Sequence, residues 1–213
     1  MDKFVLILDT ETTNSLDDPL AYDIGFGVID TETGEAVETH SYVVADIFLD
    51  KELMSYAYFK EKIPQYWEDI QAGKRKLRRL KTIRFILHDV CKQYNIKIIC
   101  AHNMRFDNRS CNLSQRYLTS SKYRYFFPYG VEIWDTLKMS RKAFDDSQYD
   151  EFCYNNNYIT KNGRKRYTAE ILYRFITNNS DFEESHTGLE DVLIEKEILA
   201  ECLKRGVKDG KIW

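Results

Sequence analysis

Asp9 and Glu11 close an unbroken apolar run, Phe4-Val-Leu-Ile-Leu8, and they are the first residues in this chain equipped for chemistry. Five apolar residues in a row fit a strand covered on both faces, and ligands of α/β sheets gather beyond the ends of such strands. Side chains alternate along a strand, so Asp9 and Glu11 share one side while Thr10 points to the other. Two adjacent anions repel each other. A hard divalent cation that takes oxygen ligands, Mg²⁺ or Mn²⁺, would reconcile them. The tetrapeptide Asp-Thr-Glu-Thr recurs at Asp30 to Thr33, so the motif alone carries little weight. There Gly34 and the strand-like Ser41 to Ala45 mark a hairpin turn, and Asp30 and Glu32 read as solvated turn residues.

Partners for Asp9 and Glu11 come from two later segments. Ile96 to Ala101 is a second buried-strand pattern, and His102-Asn103-Met104-Arg105-Phe106-Asp107 stands at its end. Asp107 is either the N-cap of a helix running to Leu118 or a further carboxylate of the same site. Near the C-terminus, Thr187-Gly188-Leu189-Glu190 matches a capping box, and apolar residues at helical spacing continue from Leu189 to a stop at Gly206. Asp191 falls in the first turn of that helix and His186 just outside it. In a continuous helix residues five apart are rotated by about 140°. Placing His186 ahead of the cap removes that obstacle, so both side chains can face one site.

The rest of the chain must position these groups. With 213 residues, 43% of them hydrophobic, it can bury the core of a single α/β domain over residues 1–213. No segment approaches the roughly 20 apolar residues that span a bilayer, and no signal-peptide pattern opens the chain. A soluble, cytoplasmic protein with no membrane partner is expected. Five cysteines without a C-x-x-C pair fit a reducing compartment, with Cys100 and Cys202 in the core. Ile24 to Ile29 and Val37 to Ala45 read as strands that form an antiparallel meander with the first. Leu49 to Lys62 reads as a helix closed by Pro64, and Leu77 to Tyr94 as another. Val131 to Trp134 reads as a strand, Asp135 as the cap of a helix to about Phe144, and Thr168 to Thr177 as a helix.

A net charge of −3 leaves nucleic acid open as a partner, because local patches matter more than the sum. Lys74, Arg75, Lys76, Arg78, Arg79 and Lys81 form one basic patch, which reads as a solvated face or as a nucleic-acid contact. Lys161, Arg164, Lys165 and Arg166 form a second. They sit in Tyr149 to Tyr167, a segment with a hairpin signal at Lys161-Asn162-Gly163-Arg164. Aromatic and cationic side chains on a protruding β-hairpin at about 149–167 suit single-stranded nucleic acid, and structural packing of Tyr154 and Tyr158 is the alternative.

Taken in order, Asp9-x-Glu11, His102-Asn103-x-x-Phe106-Asp107 and His186 followed by Asp191 resemble the DEDDh branch of the DEDD (DnaQ-like) 3′-to-5′ exonucleases. The resemblance covers nearly the whole chain. The Tyr149 to Tyr167 ribbon departs from it, which bears on substrate choice more than on the reaction. The resemblance implies a ribonuclease-H-like fold, a mixed central β-sheet flanked by α-helices, and a site with two Mg²⁺ or Mn²⁺ ions. It makes Asp9, Glu11, Asp107 and Asp191 the metal ligands and His186 the general base; the neighbours Asn103 and Phe106 mark His102 as shaping the pocket. It also implies contacts to the 3′ end near the first motif, at Thr10 and Thr12, and an apolar wall at Phe106. Arg164, Lys165 and Arg166 are the expected contacts to the polymer.

The leading expectation is thus a metal-dependent exonuclease that removes nucleoside 5′-monophosphates from the 3′ ends of single-stranded DNA or RNA. A role in replication or repair beside a polymerase and a free-standing trimming role both fit. The alternatives are a catalytically idle nucleic-acid-binding subunit of a replication assembly and a phosphodiesterase for small oligonucleotides. An idle module has no physical need for four converging carboxylates. The charged, aromatic ribbon favours a polymer over a small substrate.

Overall fold

The computed structural model describes residues 2–212. Six strands form one mixed sheet in the order β4-β3-β2-β1-β5-β6. β1 (Phe4–Thr13), β2 (Leu20–Asp30) and β3 (Ala36–Val44) make the antiparallel meander. β4 (Lys76–Arg78) pairs parallel to β3, and β5 (Ile98–Ala101) joins β1 and β6 (Glu132–Asp135) in parallel. The helices are α1 (Ala45–Phe48), α2 (Lys51–Ser55), α3 (Ile63–Gln71), α4 (Leu80–Gln93), α5 (Met104–Leu118), α6 (Thr136–Ala143), α7 (Ser147–Asn155), α8 (Ala169–Thr177) and α9 (Gly188–Lys204). This is the α/β architecture with a mixed, helix-flanked sheet that the sequence predicts. Among the described residues, no helix is long and apolar enough to cross a membrane.

β1 is buried on both faces, and its alternation divides the core. Leu6 and Leu8 pack into one apolar cluster with Ile83 and Leu87 of α4 and Met104 and Cys111 of α5. Val5 and Ile7 pack into a second with Val192, Ile198 and Leu199 of α9 and Leu172 of α8. Period-2 geometry carries this division past Leu8. Thr10 then belongs to the α5 side, and Asp9 and Glu11 to the α9 side.

The N-terminus of α9 is fixed on the sheet by backbone contact. A Cβ on Gly25 of β2 would lie 2.2 Å from the carbonyl carbon of Gly188, and one on Gly188 would lie 2.6 Å from the Gly25 nitrogen. Two glycines are therefore needed where helix meets strand. Beside them the fully buried Asp23 accepts hydrogen bonds from Gly188 N (3.0 Å), Tyr66 Oη (2.7 Å) and Arg75 Nη1 (3.3 Å). An anion at a helix N-terminus is favoured by the helix dipole. Arg75 also reaches Asp69 of α3 at 3.1 Å and Glu190 of α9 at 2.8 Å. This buried network ties α3, β2 and α9 together.

Several local expectations change. Pro64 opens α3 rather than closing a helix before it, since a residue without an N–H is tolerated in a first turn. The segment expected as one helix from Leu49 breaks into α2 and a 3₁₀ turn at Lys60–Lys62. Arg75 leaves the basic patch for the core, and Lys76 and Arg78 lie exposed on the edge strand β4, where charge discourages pairing with another chain. The helix after them begins at Leu80. Asp30 is not solvated: it is buried, and its Oδ1 accepts from Glu32 N and Thr33 N in the turn. Only part of 149–167 is a hairpin. Residues up to Asn155 are helical in α7, and a single bridge, Ile159 to Lys165, closes a turn around Gly163. Asp135 caps α6 and Thr168 caps α8, accepting from Leu137 N and Ile171 N. All five cysteines are free and buried.

Candidate active site

Three elements converge at the C-terminal end of β1. The first turn of α5 arrives from one face of the sheet with Asp107, and the first turns of α9 arrive from the other with Asp191 and Glu195. Asp107 is not the N-cap of α5. The helix opens three residues earlier, after Asn103, whose φ of 69° turns the chain sharply out of β5. Thr10 holds the Asp107 carboxylate from across the sheet: its amide and its hydroxyl both donate to Asp107 Oδ1, at 3.1 and 2.8 Å. The hydroxyl also meets Ser110 Oγ at 2.9 Å. Both donors of Thr10 are thus used inside the protein, and Thr12 is buried on β1. Phe106 is half-buried, with the Arg109 guanidinium 5.9 Å from its ring centroid.

The segment before α9 is shaped around Asp191. Thr187 N donates to Asp191 Oδ2 at 2.9 Å and Ser185 Oγ to Oδ1 at 3.3 Å. The capping box takes a different form from the expected one, because the Thr187 hydroxyl bonds the Glu190 carboxylate at 2.9 Å instead of the helix backbone. His186, between the two residues that hold Asp191, has a left-handed φ of 48°. That backbone strain is sustained by its neighbours. The imidazole stacks on Phe59 with centroids 4.4 Å apart and planes at 12°, and Lys62 Nζ donates to the Ser185 carbonyl. Potential ligand atoms of Glu11, His186 and Asp191 all lie within 4.8 Å of one another.

Electrostatics show how tightly the acids are gathered. Burial, then repulsion from Asp107, Glu195, Asp191 and Glu11, holds Asp9 well above the ordinary carboxylate range. Burial and repulsion from Asp191 and Asp23 raise Glu11 to about 9. Burial raises Asp107 to about 7 against the opposing bonds from Thr10, and burial with Glu184 raises Asp191 to about 8. His186 moves the other way, lowered by burial and by Lys62. His102 is likewise lowered by burial, but its ring nitrogens are engaged by Thr136 Oγ1 (3.1 Å) and the Tyr167 carbonyl (2.7 Å). It shapes the pocket and has no nitrogen free for a substrate.

This donor set fits hard divalent cations. Carboxylate oxygens dominate it, and Asp9 Oδ2 and Glu195 Oε2 are buried without any protein donor. Such oxygens are costly to bury unless something positive meets them.

No protein-family model matches the chain, and no curated protein does. Solved structures do. The nuclease domain of 3′hExo, a DEDDh family member bound to rAMP, matches over 99% of this chain and 98% of that one, with a TM-score of 0.63 at 13% identity. A full-length 3′-exonuclease matches over 97% of this chain and 84% of that one, with a TM-score of 0.62 at 11% identity. Escherichia coli exonuclease I in complex with a dA16 oligonucleotide matches over 95% of this chain and 41% of its own, with a TM-score of 0.54 at 16% identity.

The chain shares the ribonuclease-H-like fold of these exonucleases.

Within that ribonuclease-H-like fold, a cavity of about 1140 Å³ extends from Asp9 and Glu195 past His102 and Asn103 to the segment 163–169. Arg164 and Arg166 are exposed along it, and Tyr154 stands 66% exposed. Lys165 is turned inward, paired with Asp150 at 2.5 Å and Asp145 at 3.4 Å. Tyr158 is structural, its hydroxyl accepting from Arg174 at 2.8 Å. Sequence reasoning missed Glu195, Phe59 and Lys62. For Glu195 a signal existed, the i, i+4 spacing from Asp191 that places both on one face of α9. For Phe59 and Lys62 none did, since only the tertiary fold brings them to His186.

Proposed function

We propose that this chain is a metal-dependent 3′-to-5′ exonuclease that hydrolyses single-stranded DNA or RNA and releases nucleoside 5′-monophosphates. The observation that carries this reading is His186 placed beside Glu11 and Asp191 within 4.8 Å, at the strand end that also bears Asp9. The ribonuclease-H-like fold agrees with it.

Asp9, Glu11, Asp107 and Asp191 would hold two Mg²⁺ or Mn²⁺ ions, which when bound activate water and offset charge on the scissile phosphate. His186 accepts the proton of the attacking water, a role suited to an imidazole that burial and Lys62 hold below its ordinary pKa. Phe59 fixes the plane of its ring, and the bonds from Ser185 and Thr187 to Asp191 fix its distance from the carboxylates. Thr10 positions Asp107. Arg164 and Arg166 bind phosphates along the cavity, Lys165 braces their turn, and Phe106 and Thr12 border the terminal nucleotide. Exposed Tyr154 offers a stacking surface to an unpaired base.

A time course on 5′-labelled single-stranded DNA and RNA, with Mg²⁺, Mn²⁺ or chelator, tests the reading. A metal-dependent ladder shortening from the 3′ end is expected, absent in Asp9→Ala and slowed at least a hundredfold in His186→Ala, in line with loss of a general base. Cleavage that persists in Asp9→Ala or in chelator would refute it.

A further inference from the structure

Glu195 belongs to none of the roles above, yet it is 2% exposed in the second turn of α9, one turn beyond Asp191. Its Oε1 accepts the amide of His102 at 2.8 Å, which ties α9 to the end of β5. That contact explains only half of the carboxylate. Oε2 is buried with no donor, and Asp9 Oδ2 is in the same condition. Both side chains line the same cavity, which extends to the segment 163–169. The group whose ligand atoms lie within 4.8 Å of one another, Glu11, His186 and Asp191, includes neither of this pair.

We propose that Glu195 is a fifth carboxylate ligand of the metal centre, holding one divalent cation together with Asp9. This rests on the metal-dependent reading above and adds a ligand to it. Anchoring the His102 amide needs one acceptor oxygen, which a glutamine supplies as well as a glutamate. A second, uncompensated oxygen at a site already crowded with acids is unfavourable for anchoring alone. Two buried, donorless carboxylate oxygens facing one cavity match the ligand preference of Mg²⁺ or Mn²⁺, which take carboxylates and retain several waters. The centre then divides into a subsite built by Glu11 and Asp191 beside His186 and a subsite built by Asp9 and Glu195, with Asp107 held against them by Thr10.

The test is Mn²⁺ binding to the full chain, followed by calorimetry and by electron paramagnetic resonance of free Mn²⁺, together with the rise in melting temperature that Mn²⁺ produces. Glu195→Gln keeps the His102 contact and removes the charge. It is expected to weaken one of the bound Mn²⁺ ions at least tenfold and to shrink the Mn²⁺-induced stabilisation, without lowering the melting temperature in chelator. Glu197→Gln, on the half-buried side of the same helix turn, is expected to match the parent. Mn²⁺ affinity and stoichiometry unchanged in Glu195→Gln, alongside their loss in Asp9→Asn, would overturn the assignment while leaving the metal-centre reading intact; it would be the result expected if Glu195 and Asp9 shared a proton instead. Absence of Mn²⁺ binding in the parent would remove both. If Glu195→Gln does not fold, Glu195→Asp decides: its shorter arm should again weaken Mn²⁺ binding, and unchanged binding would overturn the proposal.

Discussion

The Thr10 hydroxyl donates to Asp107 Oδ1 at 2.8 Å, so a residue expected to face the substrate instead holds a carboxylate in place from the opposite element. Thr10→Val keeps the shape and the amide bond and deletes the hydroxyl. Loss of a hydrogen bond to a buried carboxylate costs about 1.5–3 kcal/mol. We expect lower stability by denaturant unfolding, a reduced kcat and a nearly unchanged KM. A raised KM with parental stability would return Thr10 to the substrate side.

The gathered acids make stability depend on pH in a sense opposite to that of salt-bridged carboxylates. Asp107, Asp191 and Glu11 are raised to about 7, 8 and 9 in the folded chain, against about 4 when unfolded. Between those values the folded state binds more protons than the unfolded one, so stability in chelator falls as pH rises from about 5 to 9. Each group contributes a slope of at most about 1.4 kcal/mol per pH unit. Melting curves across this range in chelator should decline, and Mn²⁺ should restore stability most at the alkaline end. A flat or rising profile in chelator would mean that the acids do not interact as the structure places them.

Arg75 is buried among Asp23, Asp69 and Glu190, so its substitution is a stability experiment. Removing one partner from a buried ionic network costs about 3–5 kcal/mol. Arg75→Met should lower the melting temperature sharply while single-strand affinity, measured where the protein is still folded, stays at the parental value. Weaker binding with unchanged stability would mean that Arg75 belongs to a surface patch after all.

How far the sequence speaks is clear from particular residues. Phe4 to Leu8 announces a two-sided strand because apolar runs have few other uses, and Asp135 and Thr168 announce helix starts because capping is local chemistry. Asp107 and Asp191 are paired with Asp9 through a motif order that resembles the DEDDh exonucleases, since spacing alone leaves Asp107 a possible helix cap. Asp23 is silent, since it stands inside the β2 run and its partners come from α3, from α9 and from Arg75 just before β4. Glu195 carries a signal, its i, i+4 spacing from Asp191, but that signal is masked by Glu190, Lys196 and Glu197 on a helix whose charged face looks solvated. Pro64 misleads because proline both opens and ends helices, and only the chain before it tells which.

Arg164 and Arg166 are exposed along the cavity while Lys165 is occupied by Asp145 and Asp150. The double variant Arg164→Ala with Arg166→Ala should therefore flatten the salt dependence of single-strand binding, by about 0.7 in log-log slope for each phosphate that is no longer neutralised. Lys165→Ala should act mainly on stability. An unchanged slope in the double variant would remove this segment from the binding surface.

The most direct measurement follows solvent oxygen. An unlabelled single-stranded oligonucleotide is digested in H₂¹⁸O with Mg²⁺, and the products are read by mass spectrometry beside Asp9→Ala. The proposed hydrolysis yields nucleoside 5′-monophosphates carrying one ¹⁸O on phosphorus, lost in sequence from the 3′ end and absent in the variant. Nucleoside 3′-monophosphates, internal fragments, or the same products from Asp9→Ala would contradict it.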